Sequence, residues 1–184
     1  MSKILVVYGT TEGQAARVAD RIAEVLRDRG HDVTVLDVRN TDDTVLAAYD
    51  AVVVGASIHM GKHASRMVDF IRTHRDTLAR MPAAFFSVSL AALDDTAEAR
   101  KYVEQLEQET GWKPEAVSLV AGALPYTHYG FIKRRMMRRI VASKSAALST
   151  DTSRDHVYTD WSEVAHFATG FAQAVESSKA AGAT

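Results

Sequence analysis

The 184-residue chain contains no cysteine. That absence removes disulfide frameworks, thiolate-held zinc, iron–sulfur clusters and cysteine nucleophiles, so any redox chemistry has to come from a bound organic cofactor. Nor is there an apolar run near the roughly 18 residues that span a bilayer. Met1-Ser2-Lys3 runs straight into Ile4-Leu5-Val6-Val7 with no small-residue cleavage site, and the expectation is a soluble, cytoplasmic chain. No internal repeat and no dividing linker are visible. What remains, 47% hydrophobic and 24% charged residues, is the composition of one ordinary globular domain.

Acidic residues are missing from one stretch in particular. Between Glu115 and Asp151 there is none, while Lys133, Arg134, Arg135, Arg138, Arg139 and Lys144 supply six positive charges. Elsewhere sixteen basic residues face twenty-three acidic ones, so a body of net charge −7 carries one basic segment. Such an asymmetry points to an anionic partner, whether a membrane surface or a polycarboxylate.

Short apolar runs alternate with helical patterns, the signature of a parallel sheet covered on both faces. The runs Ile4–Tyr8, Val33–Val38, Ala51–Ala56, Ala84–Val88 and Val117–Ala121 predict five strands. After the first, Ala15, Val18, Ala19, Ile22, Ala23 and Leu26 form an apolar helical face that Gly30 is placed to end. Met67, Phe70, Ile71 and Leu78 mark a second helix and Ala97–Glu109 a third. A last helix opens at Asp160-Trp161-Ser162-Glu163, a carboxylate form of the capping box, and is expected to run to about Val175. Right-handed crossovers then give an α/β fold, a doubly wound five-stranded parallel sheet in the order 2-1-3-4-5. Residues 1–176 are expected as a single domain with a basic helical insert at 123–159 before the last helix, and 177–184 as a disordered tail.

In such a sheet, ligands bind beyond the carboxyl ends of the strands where the order reverses. That selects the loops after Tyr8, Ala56 and Val88. The first, Gly9-Thr10-Thr11-Glu12-Gly13-Gln14, feeds directly into a helix. Threonine hydroxyls and unpaired backbone N–H groups suit a phosphate, and Gly13 allows close approach; the competing reading is that Thr10 or Thr11 merely caps the helix. Glu12 sits badly beside a dianion and is expected to turn to solvent. Neither G-x-G-x-x-G nor G-x-x-x-x-G-K-[ST] is present. A receiver domain would need acidic residues where Tyr8-Gly9 and Gly55-Ala56-Ser57 stand, so mononucleotide phosphate binding survives.

The opening Ile4-Leu5-Val6-Val7-Tyr8-Gly9-Thr10-Thr11-Glu12-Gly13-Gln14 resembles a flavodoxin-type FMN-phosphate loop. Four further blocks follow: Gly55-Ala56-Ser57-Ile58, Phe85-Phe86-Ser87-Val88-Ser89-Leu90, Ala121-Gly122-Ala123-Leu124-Pro125-Tyr126 and Val157-Tyr158-Thr159-Asp160-Trp161. In order and spacing the five are similar to the menaquinone-dependent protoporphyrinogen IX dehydrogenases of bacterial haem synthesis, from Lys3 to about Phe171. The resemblance implies a flavodoxin-like fold with FMN held by three loops. Thr10, Thr11, Glu12, Gly13 and Gln14 would surround the phosphate, while Ser57, Ile58, His59 and Gly61, and Ser89, Leu90 and Ala91, would border the isoalloxazine. It also implies oxidation of protoporphyrinogen IX to protoporphyrin IX, with electrons passed to menaquinone or another quinone, at the inner face of the cell membrane. Gln14 replaces the hydroxyl that typically ends a flavodoxin phosphate loop, and His59 and Leu90 replace the sandwiching aromatics. A more open flavin site follows. A flavodoxin-type electron carrier and an NAD(P)H–quinone reductase share the fold; the basic insert and the net charge of −1 speak against the carrier.

On a helical wheel Ile132, Met136, Met137, Ile140 and Val141 occupy one arc and Arg134, Arg135, Arg138 and Arg139 the other. This helix reads as a membrane-surface element, as a helix packing its apolar arc on the sheet, or as a source of guanidinium forks for substrate carboxylates. No aromatic interleaving or RNA motif accompanies the charge, so nucleic acid is not expected as a partner. Tyr126, His128 and Tyr129 are candidates for an aromatic wall against a flat ligand, or for ordinary loop anchors. His59 and His63 lack a third ligand, so no metal is expected; His59 is a candidate proton shuttle.

Overall fold

In the computed structural model, which describes residues 1–41, 46–144 and 146–182, the run Ile4–Val7 is fully buried in strand β1 (Lys3–Gly9). Because side chains alternate along a strand, Ile4 and Val6 enter one core and Leu5 and Val7 the other. Helix α1 (Gln14–Asp28) buries the face set by Ala15, Val18, Ala19, Ile22, Ala23 and Leu26. It stops where Gly30 takes φ 83, with the Gly30 N–H on the Arg27 carbonyl (2.8 Å) and the His31 N–H on that of Leu26 (3.2 Å). That pair of bonds is a Schellman ending, which a residue with a Cβ would strain.

Strands β2 (Asp32–Asp37), β3 (Ala51–His59), β5 (Ala83–Ser89) and β6 (Ala116–Ala121) complete the parallel sheet in the order β2-β1-β3-β5-β6. Counted among parallel strands alone, this is 2-1-3-4-5. The core on one face joins α1 to α5 (Trp161–Gly182) through Val164, Ala168, Phe171, Ala172 and Val175. On the other face α2 (Ser65–Leu78) and α3 (Thr96–Thr110) cover Leu5, Val7, Val52 and Val54 with Met67, Ile71, Val103 and Leu106. Each such fully buried aliphatic side chain contributes roughly 1.5–3 kcal/mol.

Two differences from expectation concern chain ends and turns. The last helix does not fray after Val175 but continues through the expected tail to Gly182, with the Lys179 Nζ donating to the Met1 carbonyl (2.8 Å). Ala183 and Thr184 of that tail, and Ser145 of the insert, lie outside the described residues. The third strand also runs beyond Ala56 to His59 and turns back as β4 (Lys62–His63), with His59 paired to Lys62. Its two turn residues, Met60 at φ 51 and Gly61 at φ 79, both lie in the left-handed region that a two-residue hairpin turn demands.

Between β6 and α5 the insert forms a small unit. β7 (Ala123–Leu124) and β8 (His156–Val157) pair antiparallel at its base, and α4 (Phe131–Lys144) follows a short turn at Tyr126–His128. Leu124, Tyr126, Tyr129, Val141 and Leu148 give it a core of its own, against which Leu90, Leu93, Met137 and Tyr158 pack.

Candidate functional site

Sheet register sets the candidate loops side by side. Gly9 at the end of β1 lies opposite Ala56, Ser57 opposite Val88, and Ser89 opposite Ala121, so four strand ends line one crevice at the point where the order reverses.

In the first loop Gly13, at φ 89, is the N-cap of α1, and neither threonine caps the helix; Thr10 Oγ1 instead accepts the Gly13 N–H (2.8 Å). The first helical bond runs from the Arg17 N–H to the Gly13 carbonyl (3.3 Å). Among the described residues the N–H groups of Gln14, Ala15 and Ala16 therefore have no acceptor, and the first turn holds no acidic residue. This end of α1 is electropositive and unsatisfied.

Two residues of the loop have partners in distant parts of the chain. Gln14 is buried, and its Nε2 donates to Thr159 Oγ1 (2.7 Å), whose own proton goes to the Ala121 carbonyl (2.6 Å). What Gln14 leaves for a phosphate is its backbone N–H. Glu12 is exposed, as expected, but its carboxylate is not free: it accepts from the Tyr129 hydroxyl (2.7 Å) and from Lys133 Nζ (2.8 Å), both on the insert.

The second loop is the β3–β4 hairpin. Ser57 and Ile58 are half-buried; His59, Met60 and Gly61 are exposed at its tip. His59 and His63 do not converge, and among the described residues no group of three or more potential metal ligands exists. His63 turns under the hairpin, its Nε2 3.0 Å from Ser87 Oγ and its ring edge-on to Phe85, beside a cleft between α2 and α3. Burial pushes this imidazole down from 6.5 to about 4. The unfolded chain thus accepts a proton at His63 that the folded chain refuses, and stability present above pH 6.5 is lost as the pH falls toward 4. Between pH 7 and 5 the loss amounts to about 1–2 kcal/mol from this group. Urea melts at the two pH values check it: His63→Gln reduces the difference by that amount, and an undiminished difference would remove His63 as its source.

The third loop is held from behind. Ser89 Oγ accepts the Ala92 N–H (3.2 Å), the Ser89 carbonyl accepts the Gly122 N–H (3.0 Å), and the Gly122 carbonyl accepts the Tyr158 N–H (3.0 Å). Ala91 opens a turn of 3-10 helix, and Leu90 packs on the core of the insert.

Placement of the insert residues sorts the expectations made for them. Tyr126 is fully buried with its hydroxyl on the Ser149 carbonyl (3.0 Å), and Tyr129 is 5% exposed. Neither ring is a wall for a ligand, because the insert spends both on its own core. Burial and the Glu12 contact push the Tyr129 hydroxyl far up, so it stays a donor. Arg134 is half-buried and engaged within the insert: its guanidinium donates to the carbonyls of Tyr126 (3.0 Å) and Tyr129 (3.2 Å) and fixes the turn that opens α4. Arg135, Arg138 and Arg139 are exposed and make no hydrogen bond or ion pair among the described residues. The apolar arc divides. Met137 and Val141 face inward, whereas Phe131 (77% exposed), Ile132 (83%), Met136 (52%) and Ile140 stand in water beside those arginines. Among the described residues no helix is long and apolar enough to cross a membrane.

An open parallel sheet with a glycine-led helix start, free of any side-chain cap, at its reversal point defines a flavodoxin-class domain. Residues 5–153 match the family model described as a flavodoxin domain. Flavodoxin 1 from Bacillus cereus superposes with a TM-score of 0.57 at 18% identity, over 94% of this chain and 98% of that one; a flavodoxin from the domain Archaea gives 0.53 at 18%, over 95% and 99%. At those identities the likeness is one of fold. Among curated proteins, protoporphyrinogen IX dehydrogenase [quinone] of Leishmania major is 37% identical, over 92% of this chain and 74% of that protein. The protein of the same name from Escherichia coli K12 is 34% identical, over 90% of this chain and 92% of its own length. The chain belongs to the flavodoxin-domain family and, within it, to the family of the quinone-dependent protoporphyrinogen IX dehydrogenases.

Proposed function

We propose that the chain is an FMN-dependent oxidoreductase that takes hydrogen from protoporphyrinogen IX and passes the electrons to a quinone, working at an anionic membrane surface. The likeness to relatives so named over about nine-tenths of the chain is the observation that carries this reading. FMN suits the site. Three free N–H groups at the start of α1, the two threonine hydroxyls and open space beside Gly13 would hold its phosphate. Ser57 to Gly61 and Ser89 to Ala91 would border its ring. The cofactor, when bound, supplies the acceptor for two electrons.

The chain's own part is to hold and orient. With Tyr126, Tyr129 and Arg134 engaged within the insert, exposed groups that border the crevice include His59, Met60 and Gly61 of the hairpin tip. No tryptophan or tyrosine of the hairpin or of the Ser89–Ala91 loop lies over the ring position, which keeps the site open to a flat substrate. The outer face of α4, with Ile132, Met136 and Ile140 flanked by Arg135 and Arg139, would rest on the lipid surface from which a quinone is drawn.

A visible spectrum of the desalted, FMN-supplemented protein tests the reading. Flavin absorbance is expected to be retained, to bleach anaerobically with protoporphyrinogen IX, and to return with a menaquinone analogue. Retained flavin that ignores the porphyrinogen but bleaches with NAD(P)H would replace it by a quinone reductase; no retained flavin would end it.

A further inference from the structure

Glu12 presents a physical problem. It places a carboxylate inside a loop whose threonines, glycine and free N–H groups are otherwise arranged for an anion. In the fold both carboxylate oxygens are engaged from the insert: Oε2 by the Tyr129 hydroxyl at 2.7 Å and Oε1 by Lys133 Nζ at 2.8 Å, across 117 and 121 residues of sequence. Lys133 Nζ also lies 4.2 Å from the centroid of the Tyr129 ring, so the ammonium, the phenol and the carboxylate form one closed group. Arg134 holds the carbonyls on either side of the turn that presents Tyr129.

The stability contributed by the ion pair does not account for this arrangement. The Lys133 and Glu12 side chains are 41% and 28% exposed, and pairs so exposed contribute little to folding. Their effect on a second anion in the same loop is larger, because a carboxylate left without its cation would repel a dianion bound well within a Debye length of it.

We infer that Lys133 and Tyr129 are remote members of the flavin phosphate site: by neutralising and holding Glu12, the insert makes the loop able to accept a phosphate, and so sets the preference for FMN over flavin without phosphate. This inference rests on the FMN reading. Lys133 and Tyr129 are positioning residues here, acting through Glu12.

Titration of the apo chain with FMN and with riboflavin, followed by quenching of flavin fluorescence, tests it without turnover. Lys133→Gln is expected to weaken FMN about tenfold while moving riboflavin less than about twofold. Adding Glu12→Gln to the same chain removes the stranded charge and restores FMN to near the wild-type value; Lys133→Arg keeps it. An unchanged Kd for FMN in Lys133→Gln overturns the inference, and so does an equal loss of FMN and riboflavin, or a failure of Glu12→Gln to restore binding. Wild-type protein that takes up neither flavin overturns the FMN reading itself, which is a different result.

Discussion

Gly55→Ala is expected to cost about 3 kcal/mol, at the upper end of what overpacking a core costs. An added Cβ would sit 1.9–2.3 Å from three carbons of the Phe86 ring, closer than any contact a side chain makes. Phe86 cannot yield. It is fully buried, lies directly across the β3–β5 ladder from Gly55, and is enclosed by the α1–α5 core. The glycine is there because an aromatic ring fills the space its side chain would take, with no positive φ involved. For a chain of this size, the loss lowers Tm by roughly 6–12 °C. Since Gly55 leads through Ala56 into the hairpin bordering the crevice, strain there is also expected to disturb that loop. Phe86→Ala alone is expected to cost about 3–5 kcal/mol through the cavity it leaves. Combining it with Gly55→Ala should cost clearly less than the sum, because each change relieves the other. Additive costs would show that the ring is not what Gly55 accommodates.

Replacing Arg135, Arg138 and Arg139 together by Gln is expected to weaken binding to vesicles of mixed phosphatidylcholine and phosphatidylglycerol about 100-fold, at about 1 kcal/mol for each arginine near an anionic surface. Arg134 is left in place because its guanidinium closes the turn before α4, and changing it would confound binding with folding. Ile132→Ser and Met136→Ser should weaken the same binding by removing exposed apolar surface, with little change in thermal stability since both residues are more than half exposed. Co-sedimentation reads both. Equal sedimentation of the wild type and the triple variant would remove the membrane from the proposal and leave the outer face of α4 without its assigned role.

Much of the architecture follows from runs of apolar residues whose period is local. Ile4–Val7, buried on both sides, and the α1 face from Ala15 to Leu26 needed no knowledge of distant residues. The extension of β3 did. Met60 in a left-handed turn is an unusual occupant, and only Gly61 beside it hints at the hairpin. Ser177-Ser178 resembled a fraying end, yet Lys179, Ala180 and Ala181 sustain the helix to Gly182. At the site, the loops were legible because glycine, threonine and strand order are local or topological signals. The directions of Gln14 and Glu12 were not, since their partners, Thr159 and the Tyr129–Lys133 pair, lie more than a hundred residues away. The same holds for Tyr126, whose burial depends on Leu124, Val141 and Leu148 forming a core that no helical wheel of α4 alone reveals.

That separate core has a kinetic meaning. Five buried residues closed by a two-pair ribbon make a unit far smaller than either sheet-face core, so it can open and reclose as a sub-global event while the parallel sheet stays folded. Its opening would take Tyr129 and Lys133 away from Glu12, and Tyr158 away from Gly122. Such an opening would loosen the phosphate loop and the loop after β5 together, and would tie the lifetime of a bound flavin to how often an element outside the sheet lets go.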